Sequence, residues 1–493
     1  MRHRLALLLL AYLVVVGGLS LRRHLGMNSS LFDLGVHEQI LHVIAHGLPP
    51  YLSTRGLPWL ADHFSPIAYL LAPFYRLWPS PVGLILGQTL ALGLGMVPVY
   101  RLASRRLGQA GGLWMAALYL SQPVLHYASR FDVHFSALAL PLWLFAVDYL
   151  EQRRVLPFLA CALLILTTGE AAGFSLLGLA WPAYRSAGWR WGLGSAILGG
   201  VGLWIASHSM ARWGGGATQY LALYAPYGTS AGSVLERLAT APQEWLPHLL
   251  DPRYLSELLL PFAFLPLLAP GRLLPALPVV LGNVLSWRPA QHGIEYHYAA
   301  GILPFVAWAA VEGAARARAW VEPSHRMSAL AWVVAISATV GFLVGPFTPW
   351  SEEAPRPQAG ELRAALASLP RGASVSVQNT PGAHLGAREQ LFLFPNPMQP
   401  AAWGNRPQSL AEQTEKGLHP PLPGEARRSL EQVSVDCFVL MPAGRSFPLD
   451  PGDLVHYLQA LEDDPGYTAS HREPVLIFRK GPPEPHREQG PGS

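Results

Sequence analysis

The sequence predicts an all-α polytopic bundle that crosses a lipid bilayer about eleven times, followed by a small α/β domain. Hydrophobic residues make up 51% of the 493-residue chain and charged residues only 13%. A soluble domain has about 25% charged residues. Apolar runs of about 17 to 22 residues recur along the chain, which is enough to cross a hydrocarbon core of about 30 Å. One soluble core would not need repeated runs of that length, so a soluble all-helical protein is the weaker interpretation.

The apolar runs define the predicted membrane spans. No clear small-x-small cleavage site follows the first run, Leu5 to Leu21, which favours a retained helix over a cleaved signal peptide. The predicted spans are 5–21, 82–103, 110–128, 136–150, 155–168, 171–184, 191–208, 257–271, 274–287, 298–314 and 328–346.

Arginine clusters between these spans predict the orientation. Lysine occurs only at Lys416 and Lys480, and the arginines concentrate in alternate loops. Those loops are predicted to be cytoplasmic, which places the amino terminus on the inner side of the membrane and the chain beyond about residue 347 on its outer side. The formal net charge of +4 does not indicate a nucleic-acid partner, because the clusters form no contiguous basic face. The clusters are Arg2/Arg4, Arg101/Arg105/Arg106, Arg153/Arg154, Arg185/Arg190, Arg272 and Arg316/Arg318/Arg326.

The transmembrane domain, residues 1–346, contains two long predicted outer loops, 22–81 and 209–256. Two stretches of the first loop, Leu34 to His46 and Phe64 to Trp78, are predicted to be helices lying along the outer membrane interface. Trp59 and Trp78 are predicted to anchor this loop at headgroup level. In the second loop, Gly214 to Gly216 predict a flexible point.

After the last span, residues 347–357 predict a linker and residues 358–480 an exoplasmic α/β domain. Helix and strand signals alternate in this domain, as they do in α/β folds. The Pro- and Gly-rich tail, 481–493, is predicted to be disordered. The predicted elements are helices at Glu361–Leu369 and Asp453–Leu461, and strands at Ser374–Gln378, Leu391–Phe394, Val435–Met441 and Pro474–Phe478.

Acidic and histidine side chains collect on the predicted outer side. One interpretation is a shared cavity in which carboxylates and imidazoles bind a phosphate-bearing substrate or a divalent cation such as Mg²⁺ or Mn²⁺. A deprotonated carboxylate there would act as a general base. The candidate residues are Asp33, His37, Asp62, His63, Asp132, His134, Glu170, Glu295, Tyr296 and His297.

A structural interpretation competes with this one at each position. Asp33 and Asp62 each precede a predicted helix and are placed to cap it. Glu170 has apolar neighbours in sequence and no nearby Lys or Arg. A carboxylate in that setting faces either a cavity or partner, or an exposed turn at the membrane boundary.

Several segments resemble a bacterial family of predicted membrane proteins, the DUF2079 family. They are Phe32–Gly35, Asp62–Pro66, Pro261–Asn283 and Tyr296–Phe305, and the resemblance extends over almost the whole chain. The family is similar in layout to the C-type (GT-C) glycosyltransferases, which use a polyprenyl-phosphate-linked sugar as donor. The resemblance implies that Asp33 is the first-loop carboxylate, acting as catalytic base or metal ligand, and that Asp132 is the second acidic site. The first loop carries a lone Asp33 where those enzymes often have paired acidic residues.

The sequence thus predicts a glycosyltransferase that moves a sugar from a polyprenyl-phosphate carrier to an outer acceptor. Asp33, Asp132 and Glu170 are the candidate catalytic residues, and Asp33 and Asp132 the candidate metal ligands. The other seven polar residues are the candidate substrate contacts. The alternatives are a transporter or lipid flippase, which usually places ionisable groups near the midplane and shows repeated halves, and a non-catalytic membrane assembly protein.

Overall fold

The structure is a computed structural model, and it divides the chain into two compact units. It describes residues 2–213, 222–346, 355–398, 435–442, 444, 451–472 and 474–481. The first unit, here the helical unit, is Met1–His24 with Pro58–Ala354, and the second, here the α/β unit, is Leu25–Leu57 with Pro355–Ser493. The predicted flexible point Gly214–Gly216, most of the predicted linker and nearly all of the predicted tail lie outside the described residues.

Helices account for most of the helical unit. Four described helical stretches are long and apolar enough to cross a membrane, namely Arg2–Leu25, Pro81–Leu120, Trp189–Arg212 and Pro323–Val344. Most of the predicted spans fall largely on α-helical backbone, and the membrane-bundle prediction is confirmed. The α-helices in or entering this unit are Arg2–Tyr12, Gly18–Leu25, Trp59–Asp62, Ile67–Leu77, Pro81–Leu94, Met96–Leu120, Pro123–Arg130, Ala139–Glu151, Val155–Leu166, Ala172–Ala187, Trp189–Arg212, Ala231–Thr240, Pro242–Leu249, Pro252–Leu259, Leu277–Leu285, Leu303–Ala317 and Arg326–Val344.

The helix assigned to Met96–Leu120 is in fact two helices, as the sequence predicts. Gly108 interrupts it with φ 80° and ψ 171°, a conformation that a residue without Cβ adopts readily. The break lies directly after Arg105 and Arg106, between the predicted spans 82–103 and 110–128. This arginine-rich turn therefore joins two consecutive spans.

The predicted span 257–271 differs from a regular membrane helix. The α-helix Pro252–Leu259 gives way to short 3-10 turns at Leu260–Phe262, Leu265–Leu268 and Pro270–Arg272. Prolines at 261, 266 and 270 remove backbone donors and prevent a continuous α-helix. Ala263 and Phe264 adopt positive φ values of 49° and 56°, which turns the chain between the short helices.

Glycines allow the two helices Ala172–Ala187 and Trp189–Arg212 to touch. A Cβ at Gly199 would lie 2.7 Å from the Gly173 carbonyl oxygen, and a Cβ at Gly173 would lie 2.7 Å from the Gly199 carbonyl oxygen. An alanine at either position would force the two helices to shift. Glycine at both positions therefore allows their close packing, in keeping with small residues at membrane helix interfaces.

Ion pairs join several of the predicted cytoplasmic arginine clusters. Asp148, whose side chain is fully buried, lies 3.0 Å from Arg101 Nη2 and 2.7 Å from Arg105 Nη1. Arg106 lies 2.7 Å from Glu151 and 3.0 Å from Glu312. Arg318 donates to the Arg106 carbonyl at 3.1 Å. Clusters from distant parts of the sequence thus gather in one region, as the predicted topology requires, while the orientation of that region remains a prediction.

The α/β unit contains a five-stranded mixed sheet, whose strands in spatial order are β4 (Leu391–Leu393), β3 (Val375–Val377), β5 (Cys437–Leu440), β7 (Val475–Lys480) and β6 (Tyr467–Arg472). Strand β3 pairs in parallel with β4 and β5, and β7 pairs antiparallel with β5 and β6. The sequence predicts all of these strands except β6. The strands are β1 Tyr51–Leu52, β2 Leu57–Pro58, β3 Val375–Val377, β4 Leu391–Leu393, β5 Cys437–Leu440, β6 Tyr467–Arg472 and β7 Val475–Lys480, and the helices of the unit are Val36–Ala45, Ala359–Ala367, Asn379–Gly382 and Pro451–Glu462.

The first-loop helix belongs to the α/β unit. A π-helical turn, Leu31–Gly35, leads into the α-helix Val36–Ala45. Leu31 is buried in the same hydrophobic cluster as the sheet residues Val375 and Val377. The apolar residues Leu34, Ile40 and Leu41 are 0% exposed and lie within the α/β unit, so the interpretation of this helix as one lying along the membrane interface is wrong. By contrast, Ile67–Leu77 keeps an exposed apolar side that includes Phe74 and Leu77.

Candidate functional site

Asp132 forms a buried ion pair in the turn that follows the helix Pro123–Arg130. Its Oδ1 lies 2.6 Å from Arg23 Nη1, and its side chain is 1% exposed. The residue adopts φ 52°, an uncommon conformation for a residue with a side chain. Arg23 thus places a positive charge beside a buried carboxylate, a position where a lone charged group would be costly.

Gln88 fixes the backbone around Asp132. Its Nε2 donates to the carbonyls of Asp132 at 2.7 Å and Ala128 at 3.0 Å, and its Oε1 accepts from the His134 amide at 2.8 Å. One buried amide side chain thus satisfies three backbone groups of the turn. Neither Gln88 nor Arg23 was a candidate from the sequence, and the only signal for Gln88 is a polar residue within an apolar span.

The segments 130–134 and 292–297 meet through stacked rings. The imidazoles of His134 and His297 have centroids 3.5 Å apart at an interplanar angle of 15°. Phe131 stacks beside both, at 5.7 Å from His134 and 6.0 Å from His297. Tyr296 meets the Phe131 ring edge-on at 4.7 Å. Four of the predicted site residues, Asp132, His134, Tyr296 and His297, therefore lie in one cluster, here the stacked-histidine cluster.

A second cluster forms around Glu170. Its Oε1 lies 3.3 Å from His63 Nδ1, and its Oε2 accepts from the Phe64 amide at 3.2 Å. Burial alone would raise the pKa of the Glu170 carboxyl, but His63 and the Phe64 amide outweigh it and hold that pKa below its ordinary value. The carboxylate is thus ionised at neutral pH. The side chain is 32% exposed.

Two hydrogen bonds hold the Glu170 turn against the segment that carries His63. Ser65 Oγ donates to the Thr168 carbonyl at 2.9 Å, and the Ile67 amide donates to the Thr167 carbonyl at 3.0 Å. The Glu170–His63 pair is therefore part of a fixed junction between two loops.

Trp59 connects the two clusters. Its ring lies 6.3 Å from that of His63 and 5.8 Å from that of Phe135, and its Nε1 donates to the Ser65 carbonyl at 3.0 Å. Trp59 is 0% exposed, so the prediction that it anchors the loop at headgroup level is wrong. Since Phe135 directly follows His134, the two clusters are neighbours in one region of the helical unit.

The capping roles considered for two aspartates do not match the structure. Asp62 is 2% exposed and is the last residue of the helix Trp59–Asp62. The next helix begins at Ile67 with Pro66 as its N-cap. Asp33 lies inside the first turn of its helix, whose N-cap is Ser30. Neither carboxylate occupies an N-cap position.

Glu295 lies in a more open setting than the other acidic candidates. Its Oε1 is 2.9 Å from Arg253 Nη2, and Arg253 Nε is 2.9 Å from Glu257. The Glu295 side chain is 41% exposed. It lines a cavity of about 580 Å³ together with Asp251, Arg253, Pro289, Ala290, His292, Gly293 and Tyr296.

Asp33 and His37 lie in the α/β unit, whereas the other eight predicted site residues lie in the helical unit. His37 Nδ1 is 2.7 Å from the Asp33 carbonyl oxygen, one helical turn away. The imidazole thus contacts the backbone of Asp33 within the same helix.

The described residues contain no group of three or more His, Cys, Asp or Glu side chains placed to hold a metal ion. The divalent cation predicted at Asp33 and Asp132 stays a prediction. At Asp132 the nearest cationic group is the Arg23 guanidinium, whereas Mg²⁺ needs several oxygen ligands in octahedral geometry. We therefore derive no step through a metal.

Comparisons with known proteins identify the fold. A search of curated proteins gives no significant match. The structure is similar to the crystal structure of ArnT from Cupriavidus metallidurans bound to undecaprenyl phosphate, with TM-score 0.53 and 14% identity over 97% of this chain and 99% of that one. The apo structure of the same protein matches with TM-score 0.52 and 13% identity over the same shares. The chain therefore has a GT-C-like membrane fold, which confirms the predicted layout.

The family comparison agrees with the resemblance seen in the sequence. The model of a family described as predicted membrane protein (DUF2079) matches residues 23–432. That range includes every predicted site residue and most of both units. The chain belongs to the DUF2079 family of predicted membrane proteins.

Proposed function

We propose that this protein is a membrane glycosyltransferase that moves a sugar from a polyprenyl-phosphate carrier to an acceptor on the exoplasmic side. The observation that carries the proposal is the GT-C-like fold over 97% of the chain, shared with a protein whose structure contains undecaprenyl phosphate. The two neighbouring clusters of the helical unit supply ionisable and aromatic side chains of the kinds such a reaction needs.

The reaction requires a base. The acceptor hydroxyl oxygen attacks the anomeric carbon, the bond from that carbon to the phosphate oxygen breaks, and polyprenyl phosphate leaves with the bonding electrons. The acceptor loses its proton to a carboxylate. Glu170 is the candidate acceptor of this proton because it is ionised at neutral pH and partly exposed, although its lowered pKa makes it a weaker base than an ordinary glutamate.

Asp132 fits a supporting role better than that of the base. Its carboxylate is 1% exposed and paired with Arg23 at 2.6 Å, so an acceptor proton has little access to it. In this proposal the pair holds the turn that presents Phe131 and His134. Asp33 remains the candidate that the family resemblance favours as catalytic base, and it is tested separately from Glu170.

The carrier would also need an apolar surface for its polyprenyl chain. The helix Ile67–Leu77 exposes Leu70, Phe74 and Leu77 at 52%, 70% and 84%. Its first residue is bonded to Thr167, three positions before Glu170. A lipid tail lying on this helix would bring its phosphate towards the Glu170 cluster.

The test is a transfer assay on purified protein with polyprenyl-phospho-sugars. We expect Glu170→Gln to lower the turnover number by about 100-fold or more, the range for loss of a general base. If Asp33 is the base instead, Asp33→Asn shows this loss and Glu170→Gln does not. Glu361→Gln, at an exposed position of the α/β unit, is the matched carboxylate control. Full activity in Glu170→Gln would remove Glu170 from the mechanism.

The assay also separates the alternatives. If the protein reconstituted in vesicles moves a lipid or solute across the bilayer and forms no covalent product, the transporter or flippase interpretation replaces this one. If the protein neither transfers a sugar nor moves a lipid or solute with any carrier lipid, the interpretation as a non-catalytic assembly protein is favoured.

A further inference from the structure

The carboxyl ends of parallel strands β3, β4 and β5 lie at one edge of the sheet in the α/β unit. In open α/β sheets this is the edge where ligands usually bind. The residue after the end of β3 and its neighbour, Gln378 and Asn379, lie here, as does Asn396 after β4. Their side chains bond to the chain itself, and two of the three bond to the first-loop segment, residues 25–57.

Asn379 caps the first-loop helix from a distant part of the sequence. The helix that begins at Leu31 has Ser30 at its N-cap, and Ser30 makes no side-chain capping bond. Asn379 Oδ1 instead accepts from the Phe32 amide at 2.9 Å and from Ser30 Oγ at 3.0 Å. The first amides of a helix have no partner inside the helix. Asn379 therefore supplies the acceptor that an N-cap residue normally supplies.

The helix also packs so closely against the segment after β3 that two positions of that segment have no room for a residue larger than glycine. A Cβ at Gly382 would lie 2.6 Å from Leu31 Cδ2, and a Cβ at Gly386 would lie 2.8 Å from Glu38 Cβ. Both glycines follow Asn379 in the sequence. Gly382 contacts the first turn of the helix, and Gly386 contacts the third. The contact is thus continuous along the helix and does not depend on one hydrogen bond.

Further bonds tie the rest of the first-loop segment to β4. Gln39 Nε2 donates to the Glu389 carbonyl at 3.1 Å. Ser53 Oγ accepts from the Leu391 amide at 2.9 Å, and Asn396 Nδ2 donates to the Thr54 carbonyl at 3.2 Å. The Ser53 side chain therefore forms a hydrogen bond to β4 that a neighbouring strand would otherwise form.

We infer that Asn379 is a positioning residue for Asp33, and that the α/β unit serves the reaction by holding the Asp33 helix at its sheet edge. The part of the inference that concerns catalysis rests on the proposed function. The part that concerns the helix does not. Asp33 lies in the turn directly after the capped Phe32 amide, so loss of the cap loosens the turn that carries the carboxylate.

The test measures the helix first and activity second. Hydrogen exchange of residues 28–36 in the full-length protein is compared for wild type, Asn379→Ala, Asn379→Asp and the exposed control Glu361→Ala. Loss of a helix cap corresponds to about a fivefold change in the opening equilibrium. We expect exchange in this segment to rise by about that factor in Asn379→Ala and to stay near the wild-type value in Asn379→Asp, which keeps the acceptor oxygen.

The transfer assay then adds a separate readout. If Asp33 acts in catalysis, Asn379→Ala lowers kcat with little change in KM, and Asn379→Asp restores it. Faster exchange without a kcat effect would support the cap and overturn its link to catalysis. Unchanged exchange in Asn379→Ala, or equal exchange in the Ala and Asp variants, would overturn the inference whether or not the protein transfers sugar.

Discussion

The imidazole rings of His134 and His297 stack with centroids 3.5 Å apart. Their segments are far apart in the sequence, and each carries further side chains of the site, Asp132 on one and Glu295 and Tyr296 on the other. The stack thus holds two loops together by packing, and it also places two ionisable groups side by side. Substitutions can distinguish the packing role from the chemical role.

Replacing His297 separates packing from chemistry. We expect His297→Ala to destabilise the protein by about 1 kcal/mol, the usual contribution of an aromatic pair. His297→Phe keeps a flat ring against His134 and Phe131 and should recover most of that stability. If the imidazole acts on substrate, the Phe variant stays inactive in the transfer assay although it unfolds at the wild-type temperature. Activity in the Phe variant would mean that His297 serves packing alone.

The pair of Arg23 and Asp132 predicts an asymmetric mutational pattern. Arg23→Ala leaves a carboxylate that is 1% exposed without its main counter-charge, and we expect a loss of about 3–5 kcal/mol. The double variant Arg23→Met with Asp132→Asn removes both charges and should be more stable than Arg23→Ala alone. Thermal unfolding in detergent provides the comparison. A double variant less stable than the single one would show that Asp132 keeps its charge by other means.

The Glu170 pair predicts a pH dependence of stability. The folded protein holds the pKa of Glu170 below the ordinary 4.5, so the ionised carboxylate stabilises the fold above that value. The contribution disappears as the pH falls through the folded pKa. We therefore expect Glu170→Gln to unfold at a lower temperature than wild type at pH 7, and the difference to shrink as the pH falls below about 4.5. A constant difference at every pH would mean that the lost hydrogen bonds, and not the charge, matter.

The spans and the strands of this fold could be predicted because each depends on a local pattern. Apolar runs of membrane length mark the helices, and four of the five sheet strands coincide with short apolar segments. The failure at 257–271 is also local, since Pro261, Pro266 and Pro270 break the helix although the mean hydropathy of the run stays high. Strand β6, Tyr467–Arg472, lacks an apolar run, and it forms because β7 pairs with it.

The candidate site was less accessible to sequence reasoning. Topology correctly grouped His134 with His297, but Arg23 follows the first span and has the pattern of any flanking arginine. The helix Leu31–Ala45 posed a different problem, because one apolar face suits a membrane interface and a domain core equally well. Only tertiary contact assigns that helix, and Asp33 with it, to the α/β unit.

Two adjacent glycines of one helix provide the most controlled test of the bundle. A Cβ at Gly199 would lie 2.7 Å from the Gly173 carbonyl oxygen, whereas a Cβ at Gly200 would meet nothing within 4 Å. Both substitutions to alanine raise helix propensity by about 1 kcal/mol, so that gain cancels in the comparison. Gly199→Ala must push apart the helices Ala172–Ala187 and Trp189–Arg212, and overpacking of this kind costs about 1–3 kcal/mol. We expect Gly200→Ala to unfold at or above the wild-type temperature and Gly199→Ala clearly below Gly200→Ala. Equal unfolding temperatures for the two variants would mean that these helices do not approach as closely as 2.7 Å implies.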